Sequence, residues 1–392
     1  MTTTASLPAG VPATHPAVAT VRPRASLEII QQPTSTPGEG EVLVHVQWTS
    51  SSPLDLHQAD GGLLISPESY PYIMGTSWAG VVVALGPSNP TVPPQHQPSE
   101  PLAPGDKVFG FSFRNQQEKG FQEYVTTATS LVGKIPDNIT PEEAVTVPAN
   151  LITAIHTLTA DLDLPLPWPI PTDWTAPNIG GPILVWGAAS SVGLYILQVL
   201  RIWGYTNTTQ VIAVARSQHH HELQKLGATV SVDYNDDDVV GKILSFGTRE
   251  PRIPLIVDCI GSREGTLRPL TRIAERGSKV AIMLPVINIH SSTEDSSLPE
   301  YEMDVSRVLT DEWKDGVLLK GTRTHFYWHN EFFKYHLQPE IVPALLKSGH
   351  VQPNKQRIVE GKTLLERAQN ALDLLRERAP SGEKLVWRVA EE

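Results

Sequence analysis

Seven consecutive residues carry the plainest chemistry in this chain: Gly187-Ala188-Ala189-Ser190-Ser191-Val192-Gly193. The apolar run Ile183-Leu184-Val185-Trp186 leads into them. An amphipathic stretch follows, with Val192, Ile196, Val199, Leu200 and Trp203 at helical spacing, and Gly204 stands where a helix would end. The pattern reads as a buried strand, a tight turn and a helix. Such a turn aims backbone N–H groups, at the positive end of the helix dipole, toward an anion. Small side chains let a pyrophosphate come close to the backbone. Gly187 and Gly193 fit the outer glycines of a dinucleotide-binding turn, whereas Ala189 and Ser190 replace its middle. A glycine-poor structural turn is the alternative.

A second set of polar residues follows the run Val211-Ile212-Ala213-Val214-Ala215. An NAD-binding fold expects an acid there, about twenty residues past the glycine turn. This chain has Arg216 and then Ser217. A carboxylate accepts from a ribose 2′-hydroxyl and repels a 2′-phosphate, whereas Arg, Ser and His offer donors to phosphate. The pattern predicts NADPH rather than NADH; the plainer alternative makes Arg216 a surface charge. The lone cysteine, Cys259, excludes an intrachain disulfide and a four-cysteine zinc site, and reads as a small buried hydrophobe. His219-His220-His221 are adjacent and so do not converge on a metal; a solvated face is the simpler reading.

These residues need elements to hold them. Further strands are predicted at Ala228–Tyr234, Pro254–Gly261 and Lys279–Met283, separated by helix-length segments, which gives α/β character and a parallel sheet. Earlier in the chain, Glu41–Trp48 alternates as a half-buried strand, Gly105–Gly110 is a turn into a strand, and Phe121–Val125 is another strand. Pro87–Pro104 is an exposed insertion. Thr140–Ala160 reads as one helix, with Thr140 capping, Pro141 at N1 and Glu143 at N3. At 392 residues the chain has room for two domains. A net charge of −11 argues against nucleic acid and anionic membrane as partners. No run of about twenty apolar residues exists to span a membrane. Residues 1–17 lack an apolar signal region and arginine, and are expected to be a disordered tail. A reducing, cytoplasmic setting is the expectation.

Several motifs share an order and spacing: Pro53-x-Asp55, Gly75-x-x-x-Ala79-Gly80, Pro104-Gly105-Asp106-Lys107-Val108, Phe121-x-Glu123-Tyr124, Leu226-Gly227-Ala228, Val257-Asp258 and Gly382-Glu383-Lys384-Leu385-Val386. Together they resemble the medium-chain dehydrogenase/reductase superfamily, from about Gly38 to the C-terminus. The closest flavour is its zinc-independent, fungal-type enoyl reductases and quinone-oxidoreductase-like proteins. The resemblance implies a GroES-like β domain over residues 18–150, completed by 329–392. A Rossmann domain with a doubly wound parallel sheet would occupy 151–328, with Val317–Lys320 as its last strand and the active-site cleft between the domains. The helix Leu364–Glu377 would pack back on the first domain.

The resemblance also implies roles. Zinc-dependent members place a cysteine just before the motif aspartate and a histidine after the motif glycine; here Ser51, Ser52 and Thr76 stand there, so no metal is expected. Without a Lewis acid, reduction of an activated C=C is the fitting reaction, because the substrate's carbonyl withdraws electrons and the enzyme need only stabilise an enolate and deliver a proton. Ser190, Ser191 and Val192 would donate to the pyrophosphate. His219 stands where relatives have a lysine for the 2′-phosphate, and Tyr234 where a tyrosine contacts it. Ile260, Leu284 and Val286 would flank the nicotinamide and its ribose. Neither familiar proton donor is kept: His57 replaces a lysine and Leu63 a tyrosine. His57, Thr153 and Ser52 are the candidate catalytic side chains, each with a structural role as its alternative. Solvent is the other proton source. The expected substrate is a small-molecule or carrier-bound α,β-unsaturated carbonyl. A quinone or enal reductase and a non-catalytic nucleotide-binding protein are the competing readings. Homodimer or partner synthase stays open.

Overall fold

The apolar runs that frame the seven-residue turn form a parallel sheet. In the computed structural model, which describes residues 7–295 and 297–390, its strands are β1 (Ile183–Trp186), β2 (Val211–Val214), β3 (Val230–Val232), β4 (Leu255–Asp258), β5 (Lys279–Met283) and β6 (Leu318–Thr322). Their spatial order is β3-β2-β1-β4-β5-β6, all parallel. This is the doubly wound order, whose switch point falls beside β1 and β4 at their carboxyl ends. β1, β2 and β4 are buried at every residue, as both faces of a helix-covered parallel sheet must be. The unit comprises Asn150–His290 and Pro299–Tyr327. Its core packs Leu184, Ile212, Ile256, Val280 and Ile282 against Leu267, Leu270 and Ile273.

The insertion after Leu164 is not a free loop. Indole N–H groups and a phenol fasten it: Trp203 donates to the Pro167 carbonyl at 2.9 Å, Tyr205 to that of Pro165 at 3.0 Å, and Trp174 to that of Trp203 at 3.0 Å. Prolines cannot donate, so their carbonyls are met by side chains from outside the segment.

A second unit comprises Met1–Ala149, Ser291–Leu298 and Trp328–Glu392. Its seven-stranded sheet is centred on Glu41–Ser51, which pairs antiparallel with Ser77–Leu85 along one edge. On the other edge, Glu41 to His45 pair with Tyr124–Ala128, and Trp48 to Ser51 pair with the C-terminal strand Lys384–Arg388. The helix Leu364–Arg376 buries Ala368, Ala371 and Leu372 in this unit's core, with Leu364, Leu365 and Leu375 packed beside them. No helix among the described residues is long and apolar enough to cross a membrane.

Two expectations need correction. Residues 14–17 are no tail: Thr14–Thr20 is a strand between Glu28–Pro33 and Tyr72–Ile73, and residues 1–6 lie outside the described ones. Its buried residues Ala17, Val18 and Ala19 are too small to announce a strand by pattern. The helix expected over Thr140–Ala160 is broken. Thr140 caps Pro141–Ala144 with a reciprocal Glu143 bond, as predicted, but a new helix starts at Pro148 and runs to His156, followed by a π-turn over Thr157–Asp161. Pro148 has no N–H to continue the earlier helix, and it disfavours helical geometry at Val147.

Candidate functional site

The turn after β1 has the shape its sequence promised. Gly187 has φ +73°, and a Cβ there would meet Cγ1 of Ile260 at 2.5 Å. A Cβ on Gly193 would meet backbone atoms of Gly187 and Ala188 at 2.6 and 2.7 Å. These two glycines let the helix Ser191–Ile202 sit down on the strand end. Ser190 is its N-cap, and its hydroxyl accepts the Gly193 N–H at 3.1 Å. The side chain of Ser190 is therefore engaged in capping. The backbone N–H groups of Ser191 and Val192, in the first helical turn, are the ones aimed outward from the positive end of the dipole. Gly187, Ala189, Ser190, Ser191 and Val192 are all partly exposed there, while Gly193 is buried.

Beyond β2, Arg216 and Tyr234 meet: the Arg216 Nε–H donates to the Tyr234 hydroxyl at 2.6 Å. Both are exposed. His219 closes the short 3-10 turn Ser217–His219. Burial, followed by the nearby charges of Arg216 and His220, holds its imidazole below the ordinary histidine value. The Ser217 backbone has a structural use as well. Its N–H donates to Asp233 Oδ2 at 2.7 Å, and Asn235 N–H donates to Oδ1 at 2.9 Å. Hydrogen bonds from Asn235 and Ser217 pull the Asp233 carboxyl down to about 2. Asp233 thus clamps the turn through the backbone N–H groups of Ser217 and Asn235, and it is a residue the sequence reading missed. The signal was present, since Asp and Asn at alternate positions after a strand favour such side-chain-to-backbone turns.

On the β4 and β5 side, Ile260 is exposed and lies over Gly187. Leu284 is half-buried. Val286 is fully buried in the hydrophobic core, so its side chain packs inward and presents no surface to a cofactor. Its β-branched side chain takes the inward position of the strand Val286–Ile289. Cys259 is buried just past β4, and burial pushes its thiol up, which leaves it an inert thiol.

Thr153 lies on the helix Pro148–His156, and its hydroxyl is 2.8 Å from that of Thr324, a partner the sequence did not suggest. Ser52 and His57 belong to the other unit. Ser52 precedes the helix Pro53–Gly61 and gives both its N–H (2.7 Å) and its hydroxyl (2.9 Å) to Asp55 Oδ2. The other oxygen of Asp55 accepts the Gly75 N–H at 3.0 Å. Burial raises the Asp55 carboxyl despite these bonds and the nearby charge of Lys384, while burial lowers the Lys384 ammonium to about 8. The motif residues Asp55, Gly75 and Lys384 therefore form one internal knot that fixes the start of this helix. His57 is buried on the same helix.

The positions where zinc ligands would stand do not fit the ion. Ser51 accepts from the Trp387 indole at 2.9 Å, Ser52 serves Asp55, and Thr76 offers a hydroxyl. Among the described residues no group of three or more His, Cys, Asp or Glu side chains could hold a metal, and that includes His219-His220-His221.

Comparison with known proteins agrees with this architecture. Residues 38–155 match the alcohol dehydrogenase GroES-like domain. The chain is 33% identical to trans-enoyl reductase tazE of Aspergillus terreus over 66% of its own length and 80% of the relative's. It is 27% identical to dehydrogenase pigH of Monascus ruber, covering 92% and 95% of the two chains. In fold it superposes on CurK enoyl reductase with a TM-score of 0.69 at 15% identity, covering 95% and 99%. The chain belongs to the medium-chain dehydrogenase/reductase superfamily, among its enoyl-reductase-like members. Its parallel-sheet unit is a Rossmann domain and its other unit is GroES-like.

Proposed function

We propose that this protein is an NADPH-dependent reductase of the activated C=C of an α,β-unsaturated carbonyl compound, working without zinc. The observation that carries the cofactor choice is the Arg216–Tyr234 pair, with His219 in the adjacent turn and no acid at the end of β2. Guanidinium, imidazole and phenol are donors suited to a 2′-phosphate. The residues present fit a dinucleotide: the Gly187 and Gly193 positions have no room for a side chain, and the first-turn N–H groups of Ser191 and Val192 would take the pyrophosphate. The reaction class is supported by relatives named as trans-enoyl reductases.

NADPH, when bound, would supply the hydride. The chain's own work is then to hold the negative charge that develops on the carbonyl oxygen and to return a proton. Thr153, with Thr324 orienting its hydroxyl, is the first candidate for the charge. Ser52 ranks behind it, because its hydroxyl would have to abandon the Asp55 carboxylate to donate elsewhere. His57 is the candidate proton carrier, since an imidazole can both donate and accept.

The test is steady-state NADPH oxidation against enones, enoyl thioesters and quinones. Turnover of enones or enoyl thioesters is expected. Turnover of quinones alone would move the protein to quinone reduction. Tight NADPH binding with no turnover on any substrate would make it a nucleotide-binding protein.

A further inference from the structure

The turn after β4 is built around one carboxylate. Asp258 ends the strand and is fully buried. Its Oδ1 accepts the Ile260 N–H at 3.0 Å; its Oδ2 accepts the Gly261 N–H at 3.2 Å and the Thr266 hydroxyl at 2.7 Å. These donors are all neutral. A buried carboxylate without a cation is expensive, so the turn it shapes must matter. Gly261 has φ +72°, and a Cβ there would lie 2.4 Å from the Met283 carbonyl oxygen. The Gly261 carbonyl accepts the Ile287 N–H at 2.7 Å. Ile260 covers Gly187. The carboxylate thus sets the backbone between the pyrophosphate turn and the Leu284–Val286 stretch.

We propose that Asp258 is a positioning residue for the dinucleotide, its ionised carboxylate fixing the Ile260–Gly261 turn against which the nicotinamide half of the cofactor rests. This rests on the cofactor reading above. Protonating Asp258 takes an acceptor from at least one of its donors and charge assistance from all of them. Burial raises this carboxyl to about 6, so the turn slackens as pH falls through that value. The other titratable groups are accounted for. The Cys259 thiol is pushed up and stays protonated. His290 meets the Ser262 hydroxyl at 3.1 Å, and the Ser262 N–H donates to Thr266 at 3.1 Å. Arg263 and Glu264 are exposed and Arg268 is partly exposed on the following segment.

The experiment measures calorimetric dissociation constants from pH 5 to 8 for two probes: NADP+, which survives acid, and 2′,5′-ADP, which lacks the nicotinamide half. The parent is expected to lose NADP+ affinity below pH 6 and to hold 2′,5′-ADP throughout. Asp258→Asn should bind NADP+ about tenfold more weakly at pH 7.5, the scale of one charge-assisted bond. It should show no break near pH 6 and bind 2′,5′-ADP as the parent does. Thr266→Val, which removes one donor and no charge, should move the break to higher pH. An unchanged NADP+ constant in Asp258→Asn, or a break that survives in it and so belongs to His290, overturns the proposal. If Asp258→Asn loses both probes equally, Thr266→Val decides, and an unmoved break counts against it. A parent that binds neither probe refutes the cofactor reading itself and takes this inference with it.

Discussion

Replacing Arg216 by alanine isolates the group on which NADPH selection depends. Its Nε is held by Tyr234 at 2.6 Å, which leaves the two Nη groups to meet a phosphate. A hydrogen bond to a charged group is worth about 1.5–3 kcal/mol. Because Arg216 is exposed, salt and water bring the figure to the lower end. At about 1.4 kcal/mol per decade, NADPH should bind roughly ten- to thirtyfold more weakly at low ionic strength. NADH, without the phosphate, should hold its affinity within about a factor of two. Tyr234→Phe keeps the guanidinium and removes only the hydroxyl that aims it, so it should lose under about 1 kcal/mol, a few-fold effect. Nucleotide fluorescence titrations with both cofactors, at low and high salt, measure all of this. The gap between parent and Arg216→Ala should narrow as salt rises. Equal losses for NADPH and NADH, or equal dissociation constants for the two in the parent, would refute the reasoning.

Gly193→Val should abolish cofactor binding and lower the melting temperature, because its side chain would begin 2.6 Å from a backbone carbonyl; a thermal melt and a binding titration check both. His57→Phe should lower turnover ten- to a thousandfold, on the order expected for a lost catalytic donor, with NADPH affinity preserved. Unchanged turnover and pH profile would make His57 structural and water the proton source. Protein purified without a histidine tag should contain no stoichiometric zinc by elemental analysis, and chelation should leave activity intact. The Asp233 carboxyl should titrate by NMR near 2, below its ordinary 3.8. Its folded-state value is depressed, so the stabilisation it provides is full above pH 3.8 and lost as pH falls through about 2.

The Rossmann half was largely legible because its signals are local. Four buried residues at β1, glycines at a left-handed turn and an amphipathic helix are all written within twenty or so positions. The capping of Pro141–Ala144 by Thr140 was legible for the same reason. What escaped depends on partners distant in sequence. The strand Thr14–Thr20 is made a strand by Glu28–Pro33 and Tyr72–Ile73, and small alanines carry no period of their own. That the Ser52 hydroxyl is spent on Asp55 and the Val286 side chain on the core cannot be read from residue type, because a hydroxyl looks equally available in a helix cap and in a cleft. Thr324 stands 171 positions from Thr153, and only the fold joins them.

The C-terminal strand has a consequence for how the chain is made. Leu385 to Arg388 pair with Ser51 to Trp48, so this edge of the GroES-like sheet is closed by residues synthesised more than three hundred positions after the strand they cover. The neighbouring stretch, Glu41 to His45, is covered early by Tyr124–Ala128. During synthesis one strand is therefore half protected, while its remaining backbone stays an open template for pairing with other chains. The Rossmann unit, whose sheet is complete at Thr322, has its strands in place before that edge is sealed. A chain released before Leu385 would carry a complete Rossmann sheet and a second sheet still adhesive along Trp48 to Ser51.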